Sequence, residues 1–305
     1  MCTAIFDGKF GLFFGRTLDL ECSFGERVMR VGRGDTLRFI HNGELACRHA
    51  ILGMAYDAGS MPLFYDAVND SGLCAAALNF PSFAKYCDRS DHALNLASFE
   101  LIPYLLSQFA SLCEAKAALE NTVITRDDFS DALKSTPLHW MLADRSGAIV
   151  IEQGEDGLRV YNNSFGVMTN SPPFPYHQAR ICDFSYLSPS PQENRLMPNH
   201  DLTPYSRGLG AYGLPGDFSS SSRFVRALFA KEHTIMPSCD DASQSTHAAR
   251  QRIFDILGTV SLPYGIARTD DGKPIYTVYT SCIDLEMLEY SYFSYADRNI
   301  KNFKF

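Results

Sequence analysis

The chain opens Met1-Cys2-Thr3, and Cys2 has the clearest chemical potential in the sequence. Removal of one initiator methionine would leave a residue that carries a thiol and a free α-amine. An unperturbed α-amine titrates near 7.7–8.0 and a cysteine thiol near 8.5. The neutral amine can therefore take the thiol proton close to neutral pH, so nucleophile and base are one residue. Two charged residues follow closely, Arg16 and Asp19, on a stretch that reads Phe13-Phe14-Gly15-Arg16-Thr17-Leu18-Asp19. Two apolar runs flank Asp7-Gly8, which signals a hairpin. Such a hairpin lays Arg16 and Asp19 beside the strand that begins at Cys2. Elsewhere the chemistry is thin. Cys47-Arg48-His49 is the only close Cys/His pair, and one pair does not make a zinc site. No metal and no cofactor is expected.

These residues need elements to position them. Arg27–Val31 alternates as a strand, and 49–56 is a second apolar run. Residues 73–78 are almost wholly apolar, which suits a strand buried on both faces, and Asn79-Phe80-Pro81 ends it. Helical spacing covers 98–112. Ser111 with Glu114 forms a capping box for a second helix over 114–120. Strands over 139–143 and 148–152 are joined by the turn Asp144-Arg145-Ser146-Gly147, and 158–161 and 166–169 continue the pattern. Ser219 to Ser222 can cap a helix through Phe224 and Leu228. Another helix spans 246–257, stopped by Gly258. Strands over 276–283 and 287–294 close the chain. Strands at both ends with helices between predict sheets with helices packed on their faces.

Composition bounds the function. The chain has 305 residues, 46% hydrophobic and 20% charged, with a formal net charge of -8. That is a globular balance with no long basic run, so nucleic acid and anionic membrane surfaces are excluded as expected partners. No apolar run approaches the ~20 residues of a membrane span, and no secretory signal is visible. The nine scattered cysteines read as reduced thiols in a cytoplasmic protein.

One stretch resists the scheme. From Ser171 to Gly213 there is no sustained periodicity, yet Phe174, Tyr176, Phe184, Tyr186, Leu196, Tyr205 and Tyr212 recur. Disorder predicts few aromatics. The stretch is expected to be an arm of a single domain over 1–305, burying its apolar residues against another subunit.

Cys2, Arg16, Asp19, Leu78-Asn79-Phe80-Pro81, Thr169-Asn170-Ser171-Pro172, Gly213-Leu214-Pro215-Gly216-Asp217-Phe218 and Ser222-Arg223-Phe224 closely resemble, in order and spacing, the choloylglycine hydrolase family. That family includes conjugated bile acid hydrolases and penicillin V acylases. The resemblance implies an N-terminal nucleophile hydrolase, with the α+β, four-layer αββα sandwich of that class. It implies Cys2 as nucleophile, Arg16 as a cation that favours its thiolate, Asp19 as holder of the α-amine, Asn79 and Asn170 as the oxyanion hole, and Arg223 as a second active-site arginine. By position, Leu18, Phe24, Phe64 and Leu138 match apolar substrate contacts, although each also reads as core. The implied reaction is amide hydrolysis of a small amphipathic substrate through a thioester, and the arm matches the segment through which the family forms homotetramers. Asparagine at 79 favours the bile acid hydrolases over the penicillin V acylases, which typically carry tyrosine there. The alternatives are an acylase for penicillin V or acyl-homoserine lactones, and a pseudoenzyme that binds amphipathic ligands.

Overall fold

The amino-terminal hairpin forms, but not on a tight Asp-Gly turn: Asp7 pairs with Phe13, and the loop over 8–12 has its positive φ (111°) at Gly11. In a computed structural model that describes residues 1–236 and 242–305, β1 (Cys2–Asp7) pairs antiparallel with β2 (Phe13–Leu20). Cys2 faces Leu18 and Ala4 faces Arg16 across the pair. The chain continues through β3 (Arg27–Val31), β4 (Thr36–Phe39), β5 (Gly43–Ala46), β6 (Ile51–Asp57), β7 (Pro62–Asn69), β8 (Cys74–Asn79) and β9 (Leu94–Ala97). Helices α1 (Leu101–Gln108) and α2 (Leu112–Leu119) follow, then β10 (Thr122–Thr125), β11 (Leu138–Asp144), β12 (Gly147–Gly154), β13 (Gly157–Asn162) and β14 (Val167–Met168). After α3 (Phe174–Arg180), α4 (Ser220–His233) and α5 (Ala242–Gly258), strands β15 (Ala267–Arg268), β16 (Pro274–Asp284), β17 (Glu289–Ser294) and β18 (Lys301–Lys304) complete the order.

Two large sheets result. The first runs β14-β1-β2-β16-β17-β18, with β15 also on β16. The second runs β13-β12-β11-β8-β7-β6-β3. Strand alternation shows how they stack. Cys74, Ala76 and Leu78 of β8 and Met141 and Ala143 of β11 share a core with Cys2, Ala4 and Leu18 of the first sheet. Their neighbours Ala75, Ala77, Trp140 and Leu142 turn the other way, onto Leu101, Leu105 and Leu112 of α1 and α2. On the far side of the first sheet, α5 lies so close to Gly15 that a Cβ there would meet Ile253 and Leu257 at 3.0 Å. The layers are α4–α5, sheet, sheet, α1–α2. This is the αββα sandwich of the expectation.

Several sequence expectations need correction. The helix expected over 98–112 stops at Gln108, because Phe109 is extended (φ -123°, ψ 143°). The Ser111 hydroxyl accepts the Glu114 N–H at 3.3 Å. Glu114 does not return the bond to Ser111, since its carboxylate takes the Ala110 N–H at 2.8 Å. Strands β7 and β18 escaped the pattern altogether. The 171–213 stretch is less bare than expected. It begins with α3, and Phe174 is buried (1% exposed), its ring against Phe224 and Tyr161. Beyond it, Leu196, Tyr205 and Tyr212 stand 87%, 86% and 77% exposed. The stretch is closed at its end by Gly210, which accepts the Ser188 N–H through its carbonyl. A Cβ there would sit 1.9 Å from the Ser190 oxygen.

Candidate active site

The hairpin register decides which residue attends which part of Cys2. Cys2, Arg16 and Leu18 share one face of the first sheet, the face toward the second sheet. Arg16 is wholly buried there. Its Nη1 donates to the backbone oxygens of Tyr65 (2.8 Å) and Ala77 (2.9 Å), which fixes the guanidinium across the gap between sheets. Burial pulls its pKa down, but Cys2, Tyr279 and Asp66 pull it up further, and the net shift is upward. Arg16 is therefore a fixed cation on the thiol side.

Behind it lies Asp66, on β7. Its carboxylate accepts from the hydroxyls of Tyr279, Ser281 and Tyr290, and stands 4.0 Å from Arg16 Nε. All of these side chains are buried. Burial raises the Asp66 pKa against the opposing effect of Arg16 and the three hydroxyls. The sequence reading missed this residue. The available signal was an aspartate inside the otherwise apolar run Phe64-Tyr65-Asp66-Ala67-Val68.

The other face of β1 and β2 looks toward the helices. Asp19 lies there, wholly buried, and accepts from Thr17 Oγ1 (3.2 Å) and Thr277 Oγ1 (2.6 Å). A bulge between Thr277 and Tyr279 turns Thr277 to this side while Tyr279 keeps to the other. The Asp19 backbone pairs with Met1, donating to its carbonyl at 3.0 Å and accepting from its nitrogen at 2.6 Å. The Cys2 nitrogen, an amide while Met1 is attached, donates to Asn170 Oδ1 at 2.8 Å and not to Asp19. Arg223, from the second turn of α4, completes this side. It donates to the Cys2 carbonyl, to Thr3 Oγ1 (2.7 Å) and to Asn170 Oδ1 (2.7 Å). Burial lowers the Arg223 pKa, with Asp19 and Cys2 opposing.

Asn79 and Asn170 also meet. Asn170 Nδ2 donates to the Asn79 carbonyl at 2.7 Å, which leaves its second hydrogen available. The phase of the β8–β11 ladder orients Asn79. Phe80 donates its N–H to Pro137 O at 2.8 Å, one step beyond the Asn79–Leu138 pair. Antiparallel ladders alternate bonded and non-bonded pairs, so Asn79 points its own N–H and C=O away from β11, toward Asn170. A backbone N–H and a side-chain amide thus converge beside Cys2, the donor set that a tetrahedral oxyanion requires.

The four apolar candidates are not gathered. Leu18 faces Cys2 and is buried in the inter-sheet core. Phe64 is buried in the outer core under α1, and Leu138 packs against that same core beside Asn79. Phe24 is 50% exposed, on the loop after β2. Two cavities of about 600 and 400 Å³ are lined by α2 with β12 and by the Phe80–Lys85 loop with β13, and neither touches Cys2. Among the described residues no cluster of His, Cys, Asp and Glu could hold a metal ion, and no helix is long and apolar enough to cross a membrane.

The layering and a cysteine at the head of β1 define an N-terminal nucleophile hydrolase fold. The model of the linear amide C–N hydrolases of the choloylglycine hydrolase family matches residues 2–305. The chain is 40% identical over 302 residues to a bile salt hydrolase/transferase of Lactiplantibacillus plantarum, covering 99% of this chain and 91% of that one. A crystal structure of a mutant conjugated bile acid hydrolase from Clostridium perfringens superposes with a TM-score of 0.87 at 31% identity, covering 100% of this chain and 92% of that one. A penicillin V acylase from Agrobacterium tumefaciens shares the fold, with a TM-score of 0.76 at 22% identity over 100% of this chain and 86% of that one. The chain belongs to the choloylglycine hydrolase family and is a hydrolase of linear amides.

Proposed function

We propose that this chain hydrolyses the amide bond of bile acids conjugated to glycine or taurine, once Met1 is removed. The observation that carries the reading is the meeting of Cys2, Asn79 and Asn170 between two buried arginines. In the first step the α-amine of Cys2 takes the thiol proton, and Sγ attacks the amide carbon. The oxyanion is held by the Asn79 N–H and Asn170 Nδ2. The α-ammonium gives its proton to the leaving nitrogen as the C–N bond breaks, which leaves a thioester. Water then attacks with the amine as base. The C–S bond breaks, and acid and thiol are released. Arg16 steadies the sulfur, and Arg223 with Asn170 orients the nitrogen. Asp19 aligns the strand segment that carries it.

The relatives named above support the substrate class. The bare apolar side chain of Phe24, with Leu18, Phe64 and Leu138 nearer the core, would meet the steroid. The run Gly208-Leu209-Gly210 carries no cation, although Arg207 is adjacent, and this weakly favours glycine over the sulfonate of taurine. Transfer is the second reading. A nucleophile other than water could take the acyl group from the thioester, and the Lactiplantibacillus relative is named a hydrolase/transferase. The exposed Leu196, Tyr205 and Tyr212 support a homotetramer built by the arm. Side-by-side hydrolysis of glycocholate, taurocholate and penicillin V tests the reading. Penicillin V cleaved fastest would overturn the substrate class, and a Cys2→Ala protein that still hydrolyses would overturn the nucleophile.

A further inference from the structure

Asn170 does not hold its own position. Its carbonyl accepts from His177 Nε2 at 3.0 Å, and its N–H donates to Ser220 Oγ at 2.9 Å. Burial keeps His177 below the ordinary imidazole value, in keeping with a neutral ring that donates through Nε2. The preceding residue is held differently. The Thr169 carbonyl lies 2.8 Å from His139 Nε2, and a carbonyl only accepts, so Nε2 carries the hydrogen. The other ring nitrogen, Nδ1, lies 3.1 Å from Glu152 Oε1. Glu152 is itself fixed by the Phe174 N–H, 3.0 and 3.2 Å from its two oxygens. His139 and Glu152 are 1% and 4% exposed.

His139 also touches the strand that carries the other oxyanion donor. Its ring stacks on Phe80, with centroids 4.4 Å apart and planes within 8°. Phe80 follows Asn79 directly, and His139 follows Leu138, the cross-strand partner of Asn79. One imidazole thus bonds to the residue before Asn170 and stacks on the residue after Asn79. Its ring plane is set by Glu152 from behind. A histidine satisfied for packing alone would need no such pair of partners.

We propose that His139, clamped by Glu152, is a positioning residue that sets the spacing between the Asn79 N–H and the Asn170 amide. The inference rests on the reading of those two groups as the oxyanion hole. An oxyanion hole acts through placement of its donors, so a shift of the Thr169–Asn170 segment weakens the transition state more than the bound substrate.

The test uses the full-length, processed protein and three variants. In His139→Asn the amide reaches the Nδ1 position, keeps a group toward Glu152 and loses the donor to Thr169. In His139→Gln the amide nitrogen reaches the Nε2 position and restores that donor. Glycocholate hydrolysis gives kcat and KM, and iodoacetamide alkylation reports whether Cys2 remains accessible and reactive. For His139→Asn the expected result is a kcat lowered about tenfold or more, with KM within about twofold and the alkylation rate unchanged. His139→Gln should recover most of the lost kcat. The inference is overturned if His139→Asn keeps kcat within about twofold of the parent, or if His139→Gln falls as far as His139→Asn. A parallel fall in alkylation also overturns it, because the site as a whole would then have collapsed. Asn170→Ala separates the two levels. Full activity there removes the oxyanion reading itself, whereas an inactive Asn170→Ala beside a normal His139→Asn removes the positioning role alone.

Discussion

Deleting Asp66 tests whether the buried polar cluster behind Arg16 holds the two sheets together. The carboxylate accepts from three buried hydroxyls and faces Arg16. Its raised pKa shows that burial outweighs these partners, so the ionised group is itself costly to keep. The loss on deletion comes from the donors left behind. Three orphaned hydroxyls at about 1 kcal/mol each give roughly 3 kcal/mol. A buried guanidinium whose Nη2 already lacks a partner brings the total to the ~3–5 kcal/mol typical of a broken buried pair. For 305 residues, at about 2.1 cal/mol/K each, Asp66→Ala should lower Tm by about 5–8 °C at fixed protein concentration. Differential scanning calorimetry measures this. A fall below about 2 °C would refute the reasoning. The sign of the pH dependence is a second check. A raised carboxyl pKa means the native state binds the proton more tightly, so this group's contribution is complete below the unfolded value and lost as pH rises through the native one. Asp66→Asn should remove that slope, and its stability relative to the parent should improve with rising pH over that window.

Other outcomes follow from the same geometry. Active enzyme should begin at Cys2, because an acylated nitrogen cannot serve as base, and intact-mass analysis of active protein that retained methionine would contradict it. Replacing Leu196 and Tyr205 together by glutamate should reduce the assembly below a tetramer in light scattering, and an unchanged mass would show that the arm is not the contact. Asp217, pushed down to about 2 by hydrogen bonds from Ser219 and Ser222, ties down the start of α4. Asp217→Ala should cost about 1–2 °C in Tm at pH 7. The gap from the parent should close as pH falls from about 4 toward 2, since a depressed carboxyl contributes only while ionised. A gap that persisted at pH 2 would assign the effect to packing.

Much of this was legible in the sequence because it is local. The apolar runs on either side of Asp7-Gly8 announce the hairpin, although the connection spans 8–12, and the hairpin brings Arg16 and Asp19 to Cys2. Alternation marked β3, and apolar strand-like runs marked β11, β12 and β16, near their observed limits. Strand β7 was hidden because Asp66 occupies a core position and breaks the apolar pattern, yet that residue is the centre of the inter-sheet network. Strand β18 reads Lys-Asn-Phe-Lys, too polar to announce an edge strand. Asn170 and Arg223 reach Cys2 across 168 and 221 residues, a distance no periodicity spans, and only the family resemblance pointed to them. His139 and Glu152 carried no motif. Their pairing depends on the register of β11 against β12, which the Gly147 turn sets but does not advertise.

Strand β1 has a consequence beyond its place in the sheet. It is one backbone thick, and it separates two environments that both belong to residue two. The thiol looks into the gap between sheets, where Arg16 is anchored on the carbonyls of β7 and β8. The nitrogen and carbonyl lie in the plane of the sheet, where Asn170 and Arg223 of α4 meet them. An ordinary strand residue presents one functional group to one layer. A cysteine at the head of a strand presents two, the thiol to the gap between sheets and the nitrogen along the sheet. The sulfur is reached by substitutions in β7 and β8 and the nitrogen by substitutions at the start of α4, and Asn170, bonded to the Cys2 N–H and to the Asn79 carbonyl, joins the two sides. Variants that leave Asn170 in place can therefore address the nucleophile and its base from different sides, whereas a change at Asn170 reaches both.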